Sequence, residues 1–156
     1  MTDFKTVLEK NGVLVFTNKG VSMMPLLRQG RDVMVIRAKT SGFQKNDAVL
    51  FIRPNGQYIL HRIRKILPDG SFDMIGDNCE RGEVVRPEQI IGILTEVRRD
   101  GKTIPVDSPK MRRYIRTVPV RRFFFSIYRT VFRFLYAVYC RTLRPLIRRD
   151  DNKKAP

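Results

Sequence analysis

Short apolar runs alternate with turn-forming residues along residues 13–106. Ahead of them, Phe4, Val7 and Leu8 share one side of residues 3–10, which predicts a short amphipathic helix ended by Asn11-Gly12. "VLVF" then reads as a strand, "DVMVIRA" (32–38) and "DAVLFIRP" (47–54) as two more, and "PNGQ" as the hairpin turn into "YILHRIRKIL". Along that strand Ile59, His61, Ile63 and Lys65 fall on one face, and Leu60, Arg62, Arg64 and Ile66 on the other. Pro68-Asp69-Gly70 turns the chain into "SFDMIG" (71–76). "IIGILTEVRR" (90–99), the turn Asp100-Gly101 and "KTIPV" complete an antiparallel set. Strands this short, joined by turns, predict a mainly β domain over residues 1–107, built as a small coiled antiparallel sheet or barrel.

From about Lys110 the period changes to that of a helix. Arg122, Ser126, Arg129, Arg133, Ala137 and Arg141, with Arg144 and Arg148 beyond them, fall in one narrow sector at 100° per residue. Phe125, Phe132, Tyr136 and the other large apolar side chains fill the rest. The pattern predicts a C-terminal amphipathic α-helix over roughly 119–148, broken near Pro145, within a second segment, 108–156.

Charge sharpens that division. The chain carries a net charge of +16, yet residues 1–107 hold 17 Lys/Arg against 13 Asp/Glu, whereas 108–149 hold 12 Lys/Arg and no acid. A basic stripe beside an aromatic face calls for an anionic partner. Each arginine costs about 2.5–3.5 kcal/mol at a bilayer centre, so Arg129 and Arg133 disfavour a spanning helix. Lying in the interface, with rings at the acyl boundary and guanidiniums at the headgroups, is the better solution. Packing of the aromatic face on the protein's own core and helix pairing with another chain are the alternatives. Nucleic acid is disfavoured, because the aromatics cluster rather than interleave with the arginines as stacking platforms. Two separated cysteines, Cys79 and Cys140, without CxxC spacing disfavour a disulfide framework or zinc site, and a single histidine excludes a His-cluster metal site. The N-terminal residues carry acids and no long apolar run, so neither a signal peptide nor an anchor is expected there.

Three features carry candidate chemistry. "GVSMMPLLRQG" (20–30) holds one serine in a loop closed by turn residues, which is either ordinary turn chemistry or a presented nucleophile. A serine nucleophile needs a base, and His61 is the only histidine. It lies within a strand, where a half-buried structural role is the plainer explanation. "GDNCERGE" (76–83) has a turn triplet, and either Asp77 or Glu83 can orient an imidazole as the carboxylate of a triad does.

Together and in this order, these features resemble the signal-peptidase family, in its Ser-His branch of archaeal and endoplasmic-reticulum type, related to the LexA-type serine peptidases. The Ser-Met-x-Pro box with a downstream Gly-Asp is similar to "SMMPLLRQGRD", with Arg31 inserted before Asp32. A Gly-Asp-x-Val strand resembles "NDAVLF", with Asn46 where glycine is usual. The His-Arg pair resembles "YILHRI", Gly-Asp-Asn stands at 76–78, and a later glycine-containing strand resembles "IIGILTEV". The resemblance covers about residues 18–107.

It implies Ser22 as nucleophile, His61 as general base, and Asp77 or Glu83 as the carboxylate, with the choice between them open. It further implies that Met23, Pro25 and Asn78 line the substrate cleft. The reaction would be acyl transfer on an extended leader, signal or precursor peptide, without metal or organic cofactor. Arg122, Phe125, Arg129, Phe132, Arg133, Tyr136 and Arg141 are the expected membrane or partner contacts. Family members typically carry a transmembrane helix immediately before the serine, whereas 21 mostly polar residues precede Ser22 here. With the arginine stripe, this favours attachment to the cytoplasmic face of a membrane. The competing expectation is a non-catalytic LexA-like regulatory module whose basic tail binds nucleic acid or a partner protein.

Overall fold

The computed structural model describes residues 3–143. Helix α1 (Phe4–Asn11) starts where the Asp3 carboxylate accepts the Lys5 and Thr6 amides, and stops at Gly12, whose φ of 68° returns its N–H to the Leu8 carbonyl. The strands are β1 (Val13–Thr17), β2 (Asp32–Ala38), β3 (Ala48–Ile52), β4 (Tyr58–Ile66), β5 (Phe72–Ile75), β6 (Glu83–Val85), β7 (Ile90–Arg99) and β8 (Lys102–Pro105). They form one antiparallel sheet in the order β1-β2-β7-β3-β4-β5-β6, with β8 also paired to β7. The sheet is open: β1 and β6 are its ends, so the barrel alternative is not the one adopted.

The long β7 organises this arrangement. Its first residues pair with β3, its last with β8, and β2 runs along its other edge. Strand β3 is buried along nearly its whole length, which is why its sequence is an unbroken apolar run rather than an alternation. Ala48 and Leu50 face one core cluster, with Leu8, Met34, Ile36, Leu94 and Val97. Val49 and Phe51 face a second cluster, with Ile63, Phe72, Met74 and Val85. The first cluster also takes in Met23, Leu26 and Leu27, so the loop between β1 and β2 is anchored by its own apolar side chains.

Strand β6 was not expected. Three residues between Gly82 and Pro87 are too few to show a period, and only the pairing with β5 reveals them as a strand. Helix α2 (Pro109–Val138) begins earlier than the expected 119, because the Ser108 hydroxyl accepts the Met111 amide and Pro109 occupies the first helical turn. Pro119, which resembles a helix start in the sequence, lies inside the helix.

The chain divides into two compact units between Val118 and Pro119, so 109–118 belongs with the β unit, beyond the boundary expected at 107. There Met111 and Val118 are buried, and Tyr114 and Ile115 pack against the first cluster. In the second unit α2 runs on to Val138, followed by a π-helical turn (Tyr139–Leu143). The expected break near Pro145 and the extension to 148 lie outside the described residues.

Candidate active site

The serine loop is held from both ends. Met23, Leu26 and Leu27 are buried, and the Leu27 amide donates to the Met23 carbonyl at 2.9 Å. At the loop's exit the fully buried Asp32 accepts from the Arg28 amide (2.7 Å), from Arg31 (3.0 and 2.8 Å) and from Arg99 Nε (2.7 Å). Arg99 also donates to the Leu26 carbonyl at 2.8 Å. Burial raises the Asp32 carboxyl's pKa, but these donors more than offset it and leave it well below the usual range. Aspartate follows the serine loop because its carboxylate gathers donors from the loop and from β7.

At the other end, the Asn78 amide donates to the Ser22 carbonyl at 2.8 Å, and Asn78 Nδ2 to the Val21 carbonyl at 3.1 Å. Asn78 therefore fastens the serine loop, where the sequence reading placed it among substrate contacts. Met23 differs in the same way. It is 1% exposed and belongs to the core, not to a cleft surface. Pro25 is half-buried and follows a cis peptide bond.

His61 comes from β4, opposite Val49 of β3, and is 6% exposed, with its ring edge toward Phe51. Its Nδ1 lies 3.2 Å from Glu83 Oε1, close enough for strong electrostatic contact though not aligned as a full hydrogen bond. Burial lowers the imidazole's pKa and the nearby Arg53 charge adds to this, against the opposing pull of Glu83 and Asp77. The ring is therefore neutral at pH 7, the state a general base requires.

Of the two carboxylates, Glu83 is the one that lies beside His61 Nδ1. The bidentate Arg53 (2.8 and 2.7 Å) holds Glu83 below its ordinary pKa against a burial penalty, so an ionised oxygen faces the imidazole. Asp77 is turned elsewhere. Both its oxygens accept from the buried Arg62 at 2.8 Å, and the Tyr114 hydroxyl donates to Oδ2 at 2.9 Å. Arg62 in turn donates to the Asn46 carbonyl at 2.7 Å. Asp77 is thus a buried anchor that joins β4, the 76–78 turn and the root of α2.

Gly76 is where these parts meet. A Cβ built on it would lie 2.6 Å from the Ser22 carbonyl oxygen, 2.7 Å from Cys79 Sγ and 3.1 Å from His61 Nε2. The serine backbone and Nε2 of the imidazole converge over a bare α-carbon, and a side chain there would separate them. Sequence reasoning named Ser22, His61, Asp77 and Glu83 as candidates, but not Arg53, Tyr114 or Cys79. For Arg53 no local signal exists, since its partner is distant in sequence. For Cys79 the signal was its place directly after the triplet. Beyond Arg53 lies an open cavity of about 520 Å³, lined by Ile52, Arg53, Pro54, Arg86, Glu88 and Gln89.

The expected contact residues of the tail form a separate group. Phe125, Phe132, Arg133, Tyr136 and Arg141 are exposed, while Arg122 and Arg129 are half-buried. Phe125, Tyr128, Phe132, Tyr136 and Tyr139 make successive ring contacts, with centroids 6.2–6.4 Å apart, and the Arg129 guanidinium lies 5.4 Å from the Phe125 ring centre. Among the described residues, no helix is long and apolar enough to cross a membrane. No protein-family model matches the chain, and no curated protein matches it.

Proposed function

We propose that the protein is a serine endopeptidase of signal-peptidase type, which cleaves a leader, signal or precursor peptide at or near a membrane surface. The observation that carries this reading is the convergence at Gly76: Ser22 backbone on one side, the neutral imidazole of His61 on the other, and an ionised Glu83 behind the ring.

In the reaction His61 Nε2 takes the Ser22 hydroxyl proton as the oxygen attacks the scissile carbonyl. Glu83 stabilises the imidazolium that forms. The proton then passes to the leaving amine, and water releases the acyl group by the same route reversed. Backbone amides of the serine loop, held by the Asn78 and Arg99 contacts, serve the oxyanion. No cofactor is required. A substrate in extended form supplies backbone hydrogen bonds along a strand, and the cavity beside Arg53 accommodates one flank of it.

Attachment to an anionic membrane follows from the tail. Its exposed rings suit the acyl boundary, and its arginines suit phosphate headgroups. The cytoplasmic face is the compartment this charge pattern favours. Cleavage of a diverse peptide library by the detergent-solubilised full chain, read by mass spectrometry, tests the reading. Cuts present in the wild type and absent from Ser22→Ala support it. Identical cuts in both refute the assignment of Ser22.

A further inference from the structure

We propose that Cys79 is a second reactive nucleophile beside the imidazole of this site, and that oxidation or alkylation of its thiol switches the site off. The switching half rests on the peptidase reading; the reactivity of the thiol does not.

Three observations support it. Cys79 Sγ and His61 Nε2 lie 2.7 and 3.1 Å from the same point, the position of a Cβ built on Gly76, so the thiol shares one small space with the nitrogen that would serve Ser22. The imidazole is more than nine-tenths buried with Glu83 beside its Nδ1, which leaves Nε2 as the nitrogen on the thiol's side. The Arg53 guanidinium, which holds Glu83, is also within electrostatic reach of the sulfur, which puts a cation near the thiol. A thiol near both a base and a guanidinium is in surroundings that make cysteine reactive. Cys79 is half-buried and is not in a disulfide. Its backbone makes the local turn through the Gly76 carbonyl at 3.0 Å, a bond that any residue at this position supplies.

The chemistry balances with a peroxide as oxidant. His61 Nε2 accepts the thiol proton and the sulfur attacks one oxygen of hydrogen peroxide. The O–O bond breaks, hydroxide leaves, and a sulfenic acid remains. Condensation with a small thiol such as glutathione then expels water and leaves a mixed disulfide, which a second thiol displaces to restore the cysteine. Either adduct adds bulk to a sulfur that shares the space above Gly76 with the Ser22 carbonyl and the imidazole.

Cys140, also half-buried and free of disulfides, is an internal reference. The full chain is treated at pH 7 with iodoacetamide, and in a second arm with hydrogen peroxide plus dimedone, and occupancy at each cysteine is read by peptide mass spectrometry. Cys79 is expected to react at least about fivefold faster than Cys140. In His61→Gln this advantage should disappear. A wild-type Cys79 no faster than Cys140 overturns the proposal, whether or not the variant folds. Peptide cleavage is followed in the same samples. Loss in step with Cys79 occupancy, recovery of the peroxide-and-glutathione-treated protein with dithiothreitol, and resistance of Cys79→Ser support the switch. Full cleavage at full Cys79 occupancy overturns it. Fast labelling with no cleavage by untreated protein contradicts the peptidase reading, and the switch with it, while the thiol's reactivity stands.

Discussion

Gly76→Ala is the smallest change that strikes the centre of the site. The added methyl would lie 2.6 Å from the Ser22 carbonyl and 2.7 Å from Cys79 Sγ, well inside ordinary contact distance. The thiol can rotate away, but the carbonyl cannot move freely. It is backbone, it accepts the Asn78 amide at 2.8 Å, and the next residue, Met23, is locked in the core. Relief therefore requires the serine loop and the 76–78 turn to separate by several tenths of an ångström or more. Overpacking of this kind costs about 1–3 kcal/mol. A displacement approaching 1 Å between nucleophile and base costs about 10²-fold in turnover. Urea unfolding measures the first quantity, and single-peptide cleavage at saturating substrate measures the second. Cys79→Ser in the Gly76→Ala background should recover neither, because the carbonyl clash remains. An unchanged unfolding midpoint together with unchanged turnover would refute the convergence on Gly76.

The remaining expectations concern the same network. The acid limb of the pH–rate profile should be centred below 6.5, because burial disfavours the protonated His61 and protonation removes the base; an acid limb centred above 6.5 would contradict this. Glu83→Gln should lower turnover by more than it changes KM, since the lost charge faces the imidazolium of the transition state, and Asp77→Asn should act mainly on stability. Arg62→Met strands the buried Asp77 carboxylate and should cost about 3–5 kcal/mol in urea unfolding; a loss below about 1 kcal/mol would mean that Asp77 is not dependent on it. Arg129→Glu with Arg133→Glu should release the protein from anionic liposomes in a flotation assay, and unchanged flotation would argue against an interfacial tail.

How much of this was legible in the sequence depended on whether the signal was local. β2 and β7 were readable at their full lengths, because Val, Ile and Leu runs bounded by turn residues specify strands without outside help. The bulges between Val35 and Ile36, and between Ile63 and Lys65, left no such trace, so face assignments hold only up to the bulge. β6 and the true start of α2 depended on pairing and capping partners rather than on periodicity. The same contrast governs the site. Ser22 and His61 stood out by residue type and order, whereas the choice between Asp77 and Glu83 rested on where two arginines lie in space. Arg62 is a neighbour of His61 in sequence but takes Asp77 away from it. Arg53, on the loop after β3, secures Glu83 beside the ring. Met23 misled for a related reason: its position next to the serine says nothing about direction, and its side chain enters the core.

The central claim is that Ser22 is a nucleophile activated by His61. A biotinylated peptidyl aryl phosphonate, which forms a stable ester with an activated serine and leaves thiols unmodified, tests it most directly. Incubated with the full chain and followed by proteolysis and mass spectrometry, the probe should appear on the peptide that contains Ser22, and neither Ser22→Ala nor His61→Gln should be labelled. Labelling of other residues alone, or undiminished labelling of Ser22 in the His61→Gln protein, would contradict the assignment.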